Sequence, residues 1–180
     1  MANRPRRPYR RAYLNDFQKD AIGNYVYTGK LYAFCGDKKQ KRTYVLRTLI
    51  LWGIALASTV VPELFEPVEM SRSAFLLLPW LMQLIFIALT GWSLLRMTVH
   101  DDELREYVYK ATVEKLPRRS MASAITSLLT LLFAVGILLV KQIVPDSFDT
   151  WVRLIGPLVS AVSSTLLFFS VKGGKWEEKH

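Results

Sequence analysis

The chain has 180 residues, with 24 Lys and Arg against 15 Asp and Glu, and a formal net charge of +9. Half of it (51%) is apolar and 22% is charged, a balance that a soluble core also tolerates. What argues against an ordinary soluble domain is that the charges avoid four long stretches, and the single cysteine, Cys35, excludes an intramolecular disulfide.

Residues 1–43 form a basic region that reads as cytoplasmic. It begins MANRPRRPYRRAY, which has little to bury and is expected to be disordered in isolation. Its arginines suit topological retention and attraction to anionic lipid, about 1 kcal/mol per cation near the surface. Nucleic acid is not the expected partner, because only Tyr9 and Tyr13 stand among these arginines and no stacking platform results. In GNYVYTGKLYAFCGDKK, Tyr25 and Tyr27 alternate and so do Leu31 and Ala33. Thr28-Gly29 lies between them as a two-residue turn, so a β-hairpin over 24–35 is expected, with a short amphipathic helix as the competing reading. A lone hairpin is marginal in water and must lean on another surface.

The first apolar stretch, YVLRTLILWGIALASTVV, runs from Tyr44 to Val61 with Arg47 as its one charge. Ala74–Leu95, Ser120–Val140 and Leu154–Val171 carry none. A bilayer core takes about 17–25 apolar helical residues, and all four stretches meet that length. A bundle of helices in water would need polar outer faces, which these segments lack. The expectation is therefore an all-α membrane protein of four transmembrane helices arranged as two helical hairpins, 44–97 and 120–171. A short cytoplasmic β-hairpin or amphipathic segment would precede the first span. Because that span follows more than forty mostly polar residues, it is expected to act as its own insertion signal, without a cleaved leader.

Cations sort the connections. Of the 24 Lys and Arg, 21 lie from Arg4 through Arg47, from Arg96 through Arg119, or after Val171. Both termini and the central connection are therefore assigned to the cytoplasm. The remaining connections hold only Arg72, Lys141 and Arg153, offset by Glu63, Glu66, Glu69, Asp146 and Asp149. The plasma membrane is the expected location.

VPELFE (Val61–Glu66) and VPDSFD (Val144–Asp149) each close an odd-numbered span. Proline suits a stop or the first position of a new short helix, and the acid after it favours a helix amino terminus. Phe65 and Phe148 then serve as interfacial anchors. Duplication of one two-helix unit is the other reading, supported by Pro79 and Pro157 early in the even spans.

The central connection, 98–119, is expected to be an amphipathic helix. Asp101, Asp102 and Glu103 would sit in its first turn, Leu104, Tyr107, Val108 and Ala111 on one face, and Pro117 at its end. His100 beside two aspartates does not make a metal site, since the only other histidine is His180. The cytoplasmic tail is 172–180.

Within the spans, Gln83 is the one strongly polar side chain, and an interhelical hydrogen bond is its simplest use. Ala122, Thr126, Thr130 and Ala134 recur every four residues, as do Gly156, Ser160 and Ser164; Gly53 and Ala57 make a shorter version. Such stripes let helices approach closely, on each other or on a neighbouring protein. Arg47, Arg96, Lys141 and Arg153 are expected to snorkel to an interface, and Trp80, Trp92 and Trp151 to join the aromatic belts. No nucleophile–base pair, phosphate loop, paired carboxylates or metal box is present, so neither catalysis nor a cofactor is expected. The leading expectation is an accessory or structural subunit of a larger membrane complex of transport or export type. A homo-oligomeric channel or transporter is the alternative, and a defence or immunity membrane protein the third.

Overall fold

The computed structural model describes residues 16–20, 22–65, 73–99, 103–142 and 147–179. The basic arm Arg4–Arg11, His100, Asp101, Asp102, His180 and Val144-Pro145 of the second motif lie outside the described residues. In chain order the elements are β1 (Phe17–Lys19), β2 (Tyr25–Tyr27), β3 (Leu31–Phe34), α1 (Lys38–Val60), α2 (Ala74–Val99), β4 (Glu103–Arg105), α3 (Glu106–Ala111), α4 (Leu116–Val140), α5 (Phe148–Lys172) and β5 (Trp176–Lys179).

Four helices are long and apolar enough to cross a membrane. At about 1.5 Å per residue, a 25-residue helix such as α4 or α5 measures roughly 37 Å, more than the roughly 30 Å of a hydrocarbon core. α4 packs most extensively on α5 and α2, and α1 packs on α5 more than on α2. The helices thus close a ring in the order α1, α2, α4, α5, and contacts between the two expected hairpins rival those within them.

The burial pattern is inverted relative to a soluble bundle. Gln83, Thr90, Ser93, Ser120, Ser127, Thr130 and Ser160 are buried, whereas Leu132 is 66% and Phe169 63% exposed. Polar groups can face inward because serine and threonine hydroxyls return hydrogen bonds to the carbonyl one turn earlier, as Ser93 does to Leu89 and Ser163 to Val159.

One end of the bundle carries a sheet. β3 is its central strand, antiparallel to β4 on one side (Tyr32 opposite Leu104) and to β5 on the other (Tyr32 opposite Glu178). The hairpin expected over 24–35 does not form as such: β2 pairs with β1, Val26 opposite Gln18, and β3 turns away to β4 and β5. A two-stranded ribbon gains little, whereas β3 at the centre of three strands packs its side chains against the bundle. Tyr32 stacks on Tyr109 at 4.2 Å, and Phe34 meets both Tyr44 (5.3 Å) and Trp176 (5.5 Å). Beneath them Leu94, Met97, Leu104, Val108, Leu116, Leu167 and Val171 form the main apolar core.

The helix expected over 98–119 is likewise replaced by a strand, the short α3 and a turn. Leu104 and Val108 are buried as apolar residues, but on two different elements. Pro117 does not end a helix; it stands near the amino terminus of α4, where its missing N–H removes no intrahelical bond. The tail contributes β5.

Candidate functional site

The site lies inside the bundle, nearer the end opposite the sheet, and its centre is Gln83 of α2. The Gln83 side-chain amide donates to Thr59 Oγ1 of α1 at 2.6 Å and to Ser160 Oγ of α5 at 2.9 Å, while Thr130 Oγ1 of α4 donates to Gln83 Oε1 at 3.1 Å. One side chain therefore ties all four long helices together.

The surrounding hydroxyl donors support this orientation of the amide. Thr59 donates its hydroxyl proton to the Ala55 carbonyl at 2.8 Å, and Ser127 donates to the Ser123 carbonyl at 2.8 Å. Ser160 then gives its proton to Ser127 Oγ at 3.1 Å. Thr59 and Ser160 have no proton left for Gln83, so they accept, and the NH2 of Gln83 must face them. A second rung, Ser123 to Ser164 at 3.0 Å, ties α4 to α5 one turn nearer the sheet.

The residues singled out from the sequence fall as follows. Gly156, Ser160 and Ser164 are buried in the seam of α5, and Thr126, Thr130 and Ala134 are buried on α4, with Ala122 half-buried. These stripes are occupied within the chain. The side chains that carry the α4–α5 hydrogen bonds are Ser123 and Ser127, which a four-residue stripe passes by; the spacing 120, 123, 127, 130, alternating three and four, is the signal that marks them. Gly53 faces open space and Ala57 is exposed, so the shorter stripe of α1 lies on the outer surface.

Gly156 is where α1 and α5 approach closely. A Cβ there would stand 2.6 Å from both the Ser58 carbonyl oxygen and Pro62 Cγ. Pro62 cannot donate to the Ser58 carbonyl as an ordinary residue would, and it stands in the first turn of the 3₁₀ helix Val61–Leu64. The first VP motif is thus a wedge seated on a glycine.

Above Gln83, a cavity of about 70 Å³ is lined by Thr59, Leu76, Trp80, Thr130, Pro157 and the pair Glu63–Arg153. It has room for a few water molecules. Arg153 does not snorkel: it is 6% exposed, and its guanidinium donates to Glu63 Oε2 at 2.8 Å and to the Phe65 carbonyl at 3.2 Å. The geometry explains why, since the pair lies between the end of α1 and the start of α5 and satisfies a cation that no longer reaches solvent. Trp80 is also drawn inward, donating to the Thr59 carbonyl at 3.3 Å, whereas Trp92 and Trp151 are exposed on the outer surface. Phe65 and Phe148, one from each VP motif, meet edge to face at 5.8 Å.

Among the described residues no group of three His, Cys, Asp or Glu converges. Comparisons with protein-family models, with curated proteins and with solved structures found no match.

Proposed function

We propose that this chain is an integral membrane protein that acts as an accessory or structural subunit of a larger membrane complex, of transport or export type, with both termini in the cytoplasm. The observation that carries this reading is the sheet at one end of the bundle, where the segment before α1, the connection after α2 and the tail after α5 supply one strand each. Such a platform orders three separate chain segments for docking, and its outward charges, Lys30 with Glu178 and Lys179 with Glu103, suit a polar partner surface. The inverted burial of the helices supports lipid as their solvent. The cation distribution supports the sheet end as the inner one. The polar groups around Gln83 are spent on one another, which favours a rigid scaffold over a moving one. Contact with partner spans falls to outward surfaces such as Gly53 and Ala57 of α1.

Purification in mild detergent tests the proposal. A stoichiometric heterologous subunit supports it, and its loss on deletion of 176–179 would place the partner on the sheet. A homo-oligomer that conducts ions in liposomes, or terminal tags reachable from outside intact cells, would overturn it.

One observation favours a second reading, a small channel or transporter. The cavity over Gln83 places an ion pair with a buried guanidinium, an amide and three hydroxyls around water-sized space. Solute flux abolished by Gln83→Leu in a chain that still folds would establish that role.

A further inference from the structure

A second recess lies at the sheet end, between the start of α1 and the end of α5. Lys39, Gln40, Thr43, Tyr44 and Arg47 of α1 and Ser170 of α5 line about 380 Å³. The α1 residues fall at helical spacing on one face, so two cations and a hydroxyl converge on the same space. No carboxylate lines it, and among the described residues neither Lys39 nor Arg47 takes part in an ion pair. The Ser170 hydroxyl is buried with no hydrogen-bond partner. The N-cap residue of α1 is Asp37, which makes no side-chain cap hydrogen bond but offsets the positive end of the helix, so the recess relies on its side-chain cations.

The surroundings are apolar on the membrane side. Leu46 and Ile50 of α1, and Leu166 and Val162 of α5, are exposed and continue the two walls of the recess along the helices. A phosphate in the recess would therefore have aliphatic surface directly beside it, where an acyl chain could lie.

We propose that this recess is a binding site for the phosphate headgroup of an anionic phospholipid in the inner leaflet. Lys39 and Arg47 pair with the phosphate, and the Ser170 hydroxyl, whose proton no other group takes, donates to it, while Thr43 donates to the Lys39 carbonyl at 3.0 Å. A free phosphate shares this chemistry but makes no use of the aliphatic walls. The proposal rests on the membrane reading above, with the sheet end inside.

Native mass spectrometry of the full chain, released from nanodiscs of mixed phosphatidylglycerol and phosphatidylcholine, tests it. The expected result is one retained phosphatidylglycerol, with retention reduced roughly thirtyfold in Lys39→Gln/Arg47→Gln. Arg42→Gln, which removes a neighbouring charge outside the recess, should keep the lipid. Equal retention of both lipids, or an equal loss in Arg42→Gln, would overturn the site in favour of diffuse charge. Inorganic phosphate held without lipid would overturn the lipid occupant. Thermal unfolding in detergent confirms that the double variant is folded. A chain that stays folded and monomeric without detergent would instead refute the membrane reading itself, which separates the two failures.

Discussion

Glu63 Oε2 lies 2.8 Å from Arg153 Nη1, which joins the 3₁₀ turn after α1 to the start of α5 across 90 residues of sequence. Arg153 is almost wholly enclosed while Glu63 remains partly exposed, so the two positions differ in what their loss leaves behind. Glu63→Gln strands a buried cation and should lower stability by roughly 1–3 kcal/mol, whereas Glu63→Gln/Arg153→Leu should recover part of that loss. Unfolding in detergent measures both; a double variant less stable than the single would refute the account.

Gln83→Leu removes three interhelical bonds at once. Interhelical bonds in membranes average about 0.6 kcal/mol, so a loss of about 2 kcal/mol is expected. Thr59 keeps its bond to Ala55, and the Thr130 proton, shared between Gln83 and the Thr126 carbonyl, passes wholly to Thr126, which limits the damage. An unchanged unfolding midpoint would mean that the polar cluster contributes specificity and not stability.

Gly156→Ala places a methyl against Ser58 and Pro62 and should cost at least about 1–3 kcal/mol by forcing α5 from α1. Gly53→Ala and Gly136→Ala meet open space and should be neutral or stabilising by up to about 1 kcal/mol. Equal effects at all three positions would remove Gly156 from its packing role.

Cys35 has its thiol pKa pushed up, first by desolvation and then by a hydrogen bond to Glu177. The fold therefore favours the neutral thiol: this contribution is complete below the unfolded thiol's pKa and fades as pH rises through the folded value. Maleimide labelling should be slow at neutral pH and accelerate at a higher pH than for a free thiol. Glu177→Gln should move that profile to lower pH. An unaltered profile would show that Glu177 does not reach the thiol.

The tail strand tests the sheet. Trp176→Ala removes the ring that meets Phe34 and Tyr109, at 5.5 and 6.3 Å, and should cost roughly 3 kcal/mol or more if the sheet unfolds with the bundle. Loss of β5 alone, read as local proteolysis near residue 176 with an unchanged bundle midpoint, would show that the sheet is a separate unit.

The number, approximate placement and length of the apolar helices were legible in the sequence, because crossing a hydrocarbon layer depends on a sum over one contiguous segment. Gly156 and Ser160 were visible for a related reason, since helical spacing alone places them on one face. Partnership was not legible. Nothing local to Leu31–Phe34 says that its neighbours are Glu103–Arg105 and Trp176–Lys179 in place of Tyr25–Tyr27, and nothing near Arg153 names Glu63. Those choices depend on which distant surfaces meet once four helices pack, and only the tertiary structure brings Gln83 within hydrogen-bond reach of three other helices.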